Sequence, residues 1–151
     1  MKRDGMQRVG SAKHHRDGNG FAGDGGRVLV LDDDRSIRFM FSKLLPKLGV
    51  DVVTVATAEE AAEAYDQALQ EGRRFDLVIL DLTIPGGKGG EEVLTELIAM
   101  DATVKAVAFS GDANDPAMVD PHHYGFHDSL RKPLDLKRIG TILHEVMRGD
   151  A

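Results

Sequence analysis

The sequence predicts an α/β fold in which a parallel β-sheet is covered by helices on both faces. Five short apolar segments alternate with five segments of helical character between residues 27 and 148. Several of the short segments are apolar at almost every position, which is typical of strands buried on both faces. A chain of 151 residues is long enough for one domain with a substantial core.

The first part of this alternation contains two strands and two helices. Residues 28–31 form a continuous apolar run that ends in three aspartates, and apolar residues then recur at helical spacing over residues 37–48. Residues 50–56 are mostly β-branched and predict a second strand. Residues 57–60, Thr-Ala-Glu-Glu, fit a capping box and predict the start of an alanine-rich helix that ends near residue 72.

The middle part adds two strands with a helix between them. Residues 75–80 are apolar except for one aspartate and predict the third strand. A glycine-rich loop at residues 85–90 follows, and apolar positions over residues 93–98 predict the next helix. Residues 104–109 predict the fourth strand.

The last part completes a doubly wound topology. Asp115 followed by proline predicts the cap of a short helix, residues 126–131 predict a fifth strand despite three polar residues, and Asp135 predicts the cap of a final amphipathic helix. Five strand-helix pairs predict a flavodoxin-like (βα)5 sheet in the strand order 2-1-3-4-5. In such sheets, ligands bind outside the carboxyl ends of the strands.

The composition excludes several classes of protein. No run of about 20 apolar residues predicts a membrane span and no secretory signal is present, so we expect a soluble, cytoplasmic chain without membrane insertion. The absence of cysteine excludes a disulfide scaffold, a thiolate zinc site and a cysteine nucleophile. A net charge of −6 argues against direct binding of nucleic acid.

The chain ends differ from the central domain. Residues 1–26 contain seven of the 17 glycines and few apolar residues, so we expect a disordered tail or linker. We therefore place the domain at residues 27–148. Residues 149–151 would form a short tail, which leads us to expect no output domain.

Polar side chains follow four of the predicted strands at the point where each ends. They are Asp32 and Asp33, Asp81, Ser110 and Lys132. The carboxyl ends of parallel strands share one edge of the sheet, so we expect these side chains to converge. Three close carboxylates repel one another unless a cation lies among them, and their oxygen atoms suit Mg²⁺.

This set of residues predicts phosphoryl transfer. A carboxylate can attack phosphorus and form an aspartyl-phosphate, and Asp81 is flanked by the acidic pair on one side and by Ser110 and Lys132 on the other. A hydroxyl group and an ammonium group can neutralise charge on the transferred phosphoryl group. Each residue alone could be a cap or a turn residue, and we interpret Asp34 in that way.

Four motifs resemble the receiver domain of response regulators in two-component signalling. They are Val-Leu-Val-Leu-Asp-Asp-Asp at residues 28–34, Phe-Asp-Leu-Val-Ile-Leu-Asp-Leu-Thr-Ile-Pro-Gly-Gly at residues 75–87, Ala-Phe-Ser-Gly at residues 108–111 and Arg-Lys-Pro at residues 131–133. The loops after Asp81 and Ser110 are most similar to those of receivers in hybrid sensor histidine kinases, where a glycine-rich linker often precedes the domain.

The resemblance implies a phosphorelay. Asp81 would accept a phosphoryl group from the phosphohistidine of a histidine kinase or a histidine phosphotransfer protein, and the new charge would switch a surface that binds an unknown downstream protein. The chain would be a signalling phosphoacceptor with self-phosphorylation and autodephosphorylation chemistry, not an enzyme. Ser129 stands where many receivers have an aromatic switch residue.

The resemblance also assigns the site residues. Asp33, Asp81 and the backbone carbonyl of Thr83 would ligate Mg²⁺, and Asp32 would act mainly through water. Ser110 would hydrogen-bond to the phosphoryl group and Lys132 would pair with it. A cis Lys132-Pro133 bond is also implied.

Two other functions remain open from the sequence. Asp32 and the four residues after it resemble the nucleophile motif of haloacid-dehalogenase-like phosphatases, although Asp81 would then have no role. The chain could also be a protein-interaction module that is never phosphorylated.

Overall fold

The structure is a computed structural model that describes residues 7–9 and 25–149. Its strands are β1 (Gln7–Val9), β2 (Arg27–Leu31), β3 (Asp51–Val55), β4 (Leu77–Asp81), β5 (Ala106–Ser110) and β6 (Asp128–Arg131). Its helices are α1 (Arg35–Lys47), α2 (Ala58–Gln70), α3 (Gly90–Met100), α4 (Pro116–Val119) and α5 (Leu136–Met147), with a 3₁₀ turn at Pro121–Tyr124.

The strands form one sheet in the order β1-β3-β2-β4-β5-β6. Strands β2 to β6 are parallel to their neighbours, whereas β1 is antiparallel to β3. The five parallel strands, counted along the chain from β2, therefore have the order 2-1-3-4-5. The predicted fold class is confirmed, and β2 and β4 are neighbours at the point where the strand order reverses.

The core has two layers because successive strand residues point to opposite faces of the sheet. Leu29 and Leu31 belong to one apolar cluster, together with side chains from α2, α3 and α4. Val28 and Val30 belong to the other, together with side chains from α1 and α5. All four of these side chains are fully buried, as the continuous apolar run predicts.

The predicted helix caps are present. The side chains of Asp34, Asp115 and Asp135 accept hydrogen bonds from backbone amides at the starts of α1, α4 and α5. At the start of α2, Thr57 Oγ1 accepts from the Glu60 amide at 3.2 Å, and the Glu60 carboxylate accepts from the Ala56 amide at 2.9 Å. These bonds fix where each helix leaves its loop.

At the amino-terminal end, the structure contains a strand that the sequence analysis does not predict. The prediction of a disordered segment over residues 1–26 differs from the structure at residues 7–9, which form β1 against the edge of β3. Three residues are too few for a periodic pattern, so the sequence does not reveal this strand. Residues 1–6, 10–24 and 150–151 lie outside the described part of the chain.

The loop before α3 needs glycine for two reasons. Gly86 has a φ of +75°, which disfavours other residues. At Gly89, a Cβ atom would lie 2.3 Å from the Leu82 carbonyl oxygen, and at Gly90 it would lie 2.9 Å from the Asp81 carbonyl oxygen. The backbone of the loop therefore lies directly against the end of β4.

Among the described residues, no helix has both the length and the apolar character needed to cross a membrane.

We predict that Gly89→Ala lowers the free energy of unfolding by about 1–3 kcal/mol, because the new methyl group collides with backbone that cannot move aside easily. Gly87→Ala is the matched control, since its Cβ would meet only Ile84 Cγ2 at 3.9 Å. Urea denaturation followed by circular dichroism measures both. Equal losses in the two variants would show that the close approach at Gly89 is unimportant.

Candidate functional site

Three carboxylates meet at the carboxyl edge of the sheet. Asp32 and Asp33 follow β2, and Asp81 is the last residue of the adjacent β4. One carboxylate oxygen from each lies within 4.8 Å of the others. The convergence predicted from the strand ends is therefore present, and it follows from the adjacency of β2 and β4.

Asp32 is completely buried. Its Oδ1 accepts a hydrogen bond from the Asp34 amide at 2.9 Å. Its Oδ2 forms an ion pair with Lys132 Nζ at 3.1 Å but accepts no hydrogen bond of regular geometry from the described residues. A buried carboxylate oxygen with coordination capacity left over is suited to a cation or to a water bound to one.

Asp81 is 3% exposed. Its Oδ1 accepts from the Thr83 amide at 3.1 Å, and its Oδ2 lies 3.5 Å from Lys132 Nζ. Burial and then the repulsion from Asp32 raise the pKa of Asp81 to about 6, although the Thr83 amide and Lys132 act in the opposite direction. The carboxyl group is therefore mostly ionised at neutral pH, although its ionisation in the folded protein costs free energy.

Lys132 lies between the two buried carboxylates. Its amide donates to the Ser110 carbonyl oxygen at 2.9 Å, which ties the residue to the end of β5. Burial acts to lower the pKa of Lys132, but the carboxylates of Asp32 and Asp81 outweigh it and raise the pKa above its ordinary value. The side chain is therefore positively charged at neutral pH. The Lys132-Pro133 bond is cis, as the resemblance implies.

The remaining predicted residues surround this centre. Ser110 is buried at the end of β5, and its Oγ accepts a hydrogen bond from the Asp112 amide at 3.0 Å. Asp33 is exposed and therefore faces solvent. Thr83 is exposed just beyond β4, with its amide bonded to Asp81. The side of the site formed by Asp33 and Thr83 is the side that a ligand from solution can reach.

Two positioning groups were missed by the sequence analysis. The Arg38 guanidinium donates to the Asp32 carbonyl oxygen at 3.0 Å, and the Asp32 amide donates to the Val55 carbonyl oxygen at 3.1 Å. Both contacts hold the backbone of the acidic pair. The only indication of this role in the sequence is the position of Arg38 in the first turns of α1, one turn after the Asp34 cap.

The donor set suits a small hard cation. All the candidate side-chain ligands are carboxylates, the ligands that Mg²⁺ favours, and one of the three is open to solvent. The cluster also has an ammonium group beside its two buried carboxylates, which can pair with an anion that enters beside the cation. The arrangement can therefore accommodate a metal ion and a phosphoryl group together.

The profile of the response regulator receiver domain matches residues 28–144. The chain belongs to this family. The chemotaxis protein CheY of Bacillus subtilis is 30% identical to this receiver over 121 residues, which cover 80% of the chain and 97% of CheY. The CheY of Thermotoga maritima is 27% identical over 125 residues, covering 82% of the chain and 99% of CheY.

Other relatives of this receiver are longer proteins. The two-component response regulator ARR11 of Arabidopsis thaliana is 29% identical over 130 residues, which are 86% of the chain but only 24% of ARR11. The chain thus spans about a quarter of this relative. The similarity to a longer protein concerns its receiver portion.

Solved structures share the fold of this receiver. CheY4 of Vibrio cholerae superposes with a TM-score of 0.71 at 25% identity, covering 82% of this chain and 99% of CheY4. The receiver domain of the sensor histidine kinase PA1611 of Pseudomonas aeruginosa, solved with a magnesium ion in its active site cleft, gives a TM-score of 0.71 at 21% identity. It covers 83% of this chain and all of that domain, and this likeness shows the fold alone. An origin in a hybrid kinase stays a prediction.

We predict that Asp81→Asn stabilises the metal-free protein at alkaline pH. Folding raises the pKa of Asp81 from 3.8 to about 6, so the protonated carboxyl group favours the folded state. This contribution to the free energy of unfolding is complete below pH 3.8 and is lost as the pH rises through about 6. The free energy of unfolding of the variant should exceed that of the native chain by about 1–3 kcal/mol near pH 8.

Urea denaturation in the presence of a chelator, repeated from about pH 5 to about pH 8, measures this difference. The advantage of Asp81→Asn should shrink towards the acidic end. Asp66→Asn, on the exposed surface of α2, is the control and should show no such trend. A difference that is independent of pH would contradict the assigned electrostatic origin.

Proposed function

We propose that this receiver takes a phosphoryl group from a phosphohistidine onto Asp81 in the presence of Mg²⁺, and that the phosphorylated form presents a changed surface to a downstream protein. The observation that carries the proposal is the place of the Asp81 carboxylate, which is buried beside the acidic pair and lies 3.5 Å from the ammonium group of Lys132. Membership of the receiver family supports it.

Asp81 supplies the nucleophile. With a pKa of about 6, its carboxyl group is mostly ionised at neutral pH, so an oxygen lone pair is available to attack phosphorus. The new O–P bond forms as the N–P bond of the phosphohistidine breaks, and the imidazole leaves with the electron pair and takes a proton from water. The product is an aspartyl-phosphate on this chain and a free histidine on the donor.

Lys132 and Ser110 would stabilise the transferred group. The ammonium group already lies 3.5 Å from Asp81 Oδ2, so it can pair with a phosphoryl oxygen without a large movement. The Ser110 hydroxyl accepts a hydrogen bond from the Asp112 amide, which leaves its own proton free to be donated to the phosphoryl group. Both groups would stabilise the negative charge that develops on the phosphoryl oxygens during the transfer.

The acidic side of the site would hold the cation. Asp33 and Asp81, with the Thr83 carbonyl, would ligate Mg²⁺, and Asp32 would hold it mainly through water. When bound, the ion neutralises phosphoryl charge and offsets the repulsion among the carboxylates. Asp32 is kept in place by Arg38 and Val55 through its backbone, so its carboxylate does not need to reorganise.

Phosphorylation would change the surface of the protein through a movement of Ser110 and of the segment that follows it. A donor bond from Ser110 to the phosphoryl group would draw this side chain inward and shift the loop that leads to α4. The Ser129 hydroxyl donates to the Met118 carbonyl oxygen at 3.4 Å, which connects β6 to α4. We therefore assign the switch surface to α4, β6 and α5, without an aromatic switch residue.

The partners we propose follow from this chemistry. The donor is a histidine kinase or a histidine phosphotransfer protein, and the target is a protein rather than nucleic acid, in agreement with the net charge of −6. The chain would turn over no external substrate and would instead carry its own phosphoryl group. It is thus a signalling phosphoacceptor and not an enzyme.

The test is the intact mass of the protein after incubation with acetyl phosphate. We expect one phosphate adduct that requires Mg²⁺, is lost in Asp81→Asn, persists in part in Asp32→Asn and is unchanged in the Asp66→Asn control. Loss of the adduct only in Asp32→Asn would instead support a haloacid-dehalogenase-like phosphatase. No adduct on any form would support an interaction module that is never phosphorylated.

We also predict opposite effects of Lys132→Met on metal binding and on phosphorylation. Removing an ammonium group 3.1 Å and 3.5 Å from the two carboxylates should tighten Mg²⁺ binding by about 3- to 10-fold, because a competing charge is gone. Phosphorylation by acetyl phosphate should slow by roughly 100-fold or more, because charge stabilisation is lost.

Calorimetric titration with Mg²⁺ and the rate of adduct formation measure the two effects. Lys88→Met is the control, since Lys88 pairs with Glu96 on α3 and not with the acidic site. Equal Mg²⁺ affinity in the native chain and Lys132→Met would disprove competition between the ammonium group and the cation.

A further inference from the structure

The two edges of the sheet are protected in different ways. At the β6 edge, Asp128 forms an ion pair with Arg138, and Arg138 also donates to the Ser129 carbonyl oxygen at 3.2 Å. The strand itself has the sequence Asp-Ser-Leu-Arg, with charges at both ends. Charged side chains and an occupied backbone carbonyl discourage the pairing of such an edge with another strand.

The parallel strand at the opposite edge, β3, is charged only at its first residue, Asp51. Its sequence is Asp-Val-Val-Thr-Val, without lysine, arginine or proline, and four of its five residues are β-branched. It pairs with β2 one residue to one residue from Asp51 to Val55, without a bulge. A regular β-branched strand with a free edge is a template for another strand.

In this structure β1 covers that edge. Gln7, Arg8 and Val9 pair with Thr54, Val53 and Val52, the three central residues of β3. The geometry favours pairing within one chain. The Asp51 amide donates to the Gly26 carbonyl oxygen at 2.8 Å, so the start of the domain and the end of β1 both lie beside the first residues of β3.

The connection between β1 and β2 is long compared with the gap it has to close. Two strand spacings separate β1 from β2, roughly 10 Å. The connecting residues 10–26 can extend to about 55 Å and include six glycines. A connection of this length and glycine content gives an effective local concentration of β1 on the order of millimolar, which excludes competitors at micromolar concentration.

We propose that β1 blocks the outer edge of β3 by pairing with it within the same chain. Once uncovered, this edge pairs with β3 of a second copy of the chain. Antiparallel pairing about a twofold axis at Val53 places Val53 opposite Val53, Val52 opposite Thr54 and Asp51 opposite Val55. No like charges then face each other, and the two sheets continue into one. β3 of the second copy fits this edge because the strand is complementary to itself.

This surface is separate from the phosphoacceptor chemistry. Pairing through β3 uses the far edge of the sheet, whereas Asp81 lies on β4, two strands away. Self-association would therefore be controlled by the segment at residues 7–9 and would not require phosphorylation.

The test replaces the strand without shortening the chain. The variant Gln7→Pro/Arg8→Pro/Val9→Pro removes the three backbone donors of β1. The matched control Ser11→Pro/Ala12→Pro/Lys13→Pro introduces the same three prolines beyond β1 and also removes one positive charge. Sedimentation equilibrium from about 10 µM to about 1 mM should show association at least about tenfold tighter in the strand variant than in the native chain or the control.

Hydrogen exchange at the β3 amides locates the contact. In the strand variant, the outward amides of Val52 to Thr54 should exchange faster than in the native chain at low concentration and regain protection as the protein associates. The proposal is overturned if these amides are equally protected in all three proteins, if they are exposed without association, or if association leaves them exposed. Should the proline variant fail to fold, deletion of residues 1–9 repeats both measurements, since the family match begins only at residue 28.

Discussion

The position of one ammonium group between two buried carboxylates determines the properties of the site. Asp32 and Asp81 are both withdrawn from water, and their repulsion would be severe without Lys132. The balance is incomplete, because the pKa of Asp81 remains raised to about 6. An incompletely neutralised site has room for further positive charge, which a cation beside the three carboxylates would supply.

The fold provides this arrangement through backbone contacts that are far apart in sequence. The Lys132 amide is bonded to Ser110, and the Asp32 amide is bonded to Val55. With Asp81 at the end of β4, the site is therefore held by the ends of all five parallel strands. Any change that alters the relative positions of these strands changes the distances among the charged groups before it changes the chain's secondary structure.

The sequence was sufficient for features that depend on local pattern or on a shared edge. Apolar runs located the parallel strands, and the capping residues Asp34, Thr57 and Asp135 located helix starts. Features that depend on tertiary contacts were missed or displaced. The predicted fifth strand began at residue 126, but the Phe126 amide is bonded to Pro121, so the strand begins at Asp128. Arg38 was missed because its place on the first turns of α1 does not by itself point to Asp32, and its contact with the Asp32 carbonyl oxygen forms only when α1 packs.

The short helix α4 has a thermodynamic consequence. It is a single turn, Pro116–Val119, and its place depends on the buried side chains of Ala117 and Met118 and on the bond from Ser129. A one-turn helix has almost no intrinsic stability, so its position is set by the Asp115 cap and by tertiary contacts. Moving this turn would break few hydrogen bonds, so the cost in free energy would come mainly from the burial of Ala117 and Met118. A neighbouring loop that moves would therefore carry the turn with it as long as these two side chains stay buried.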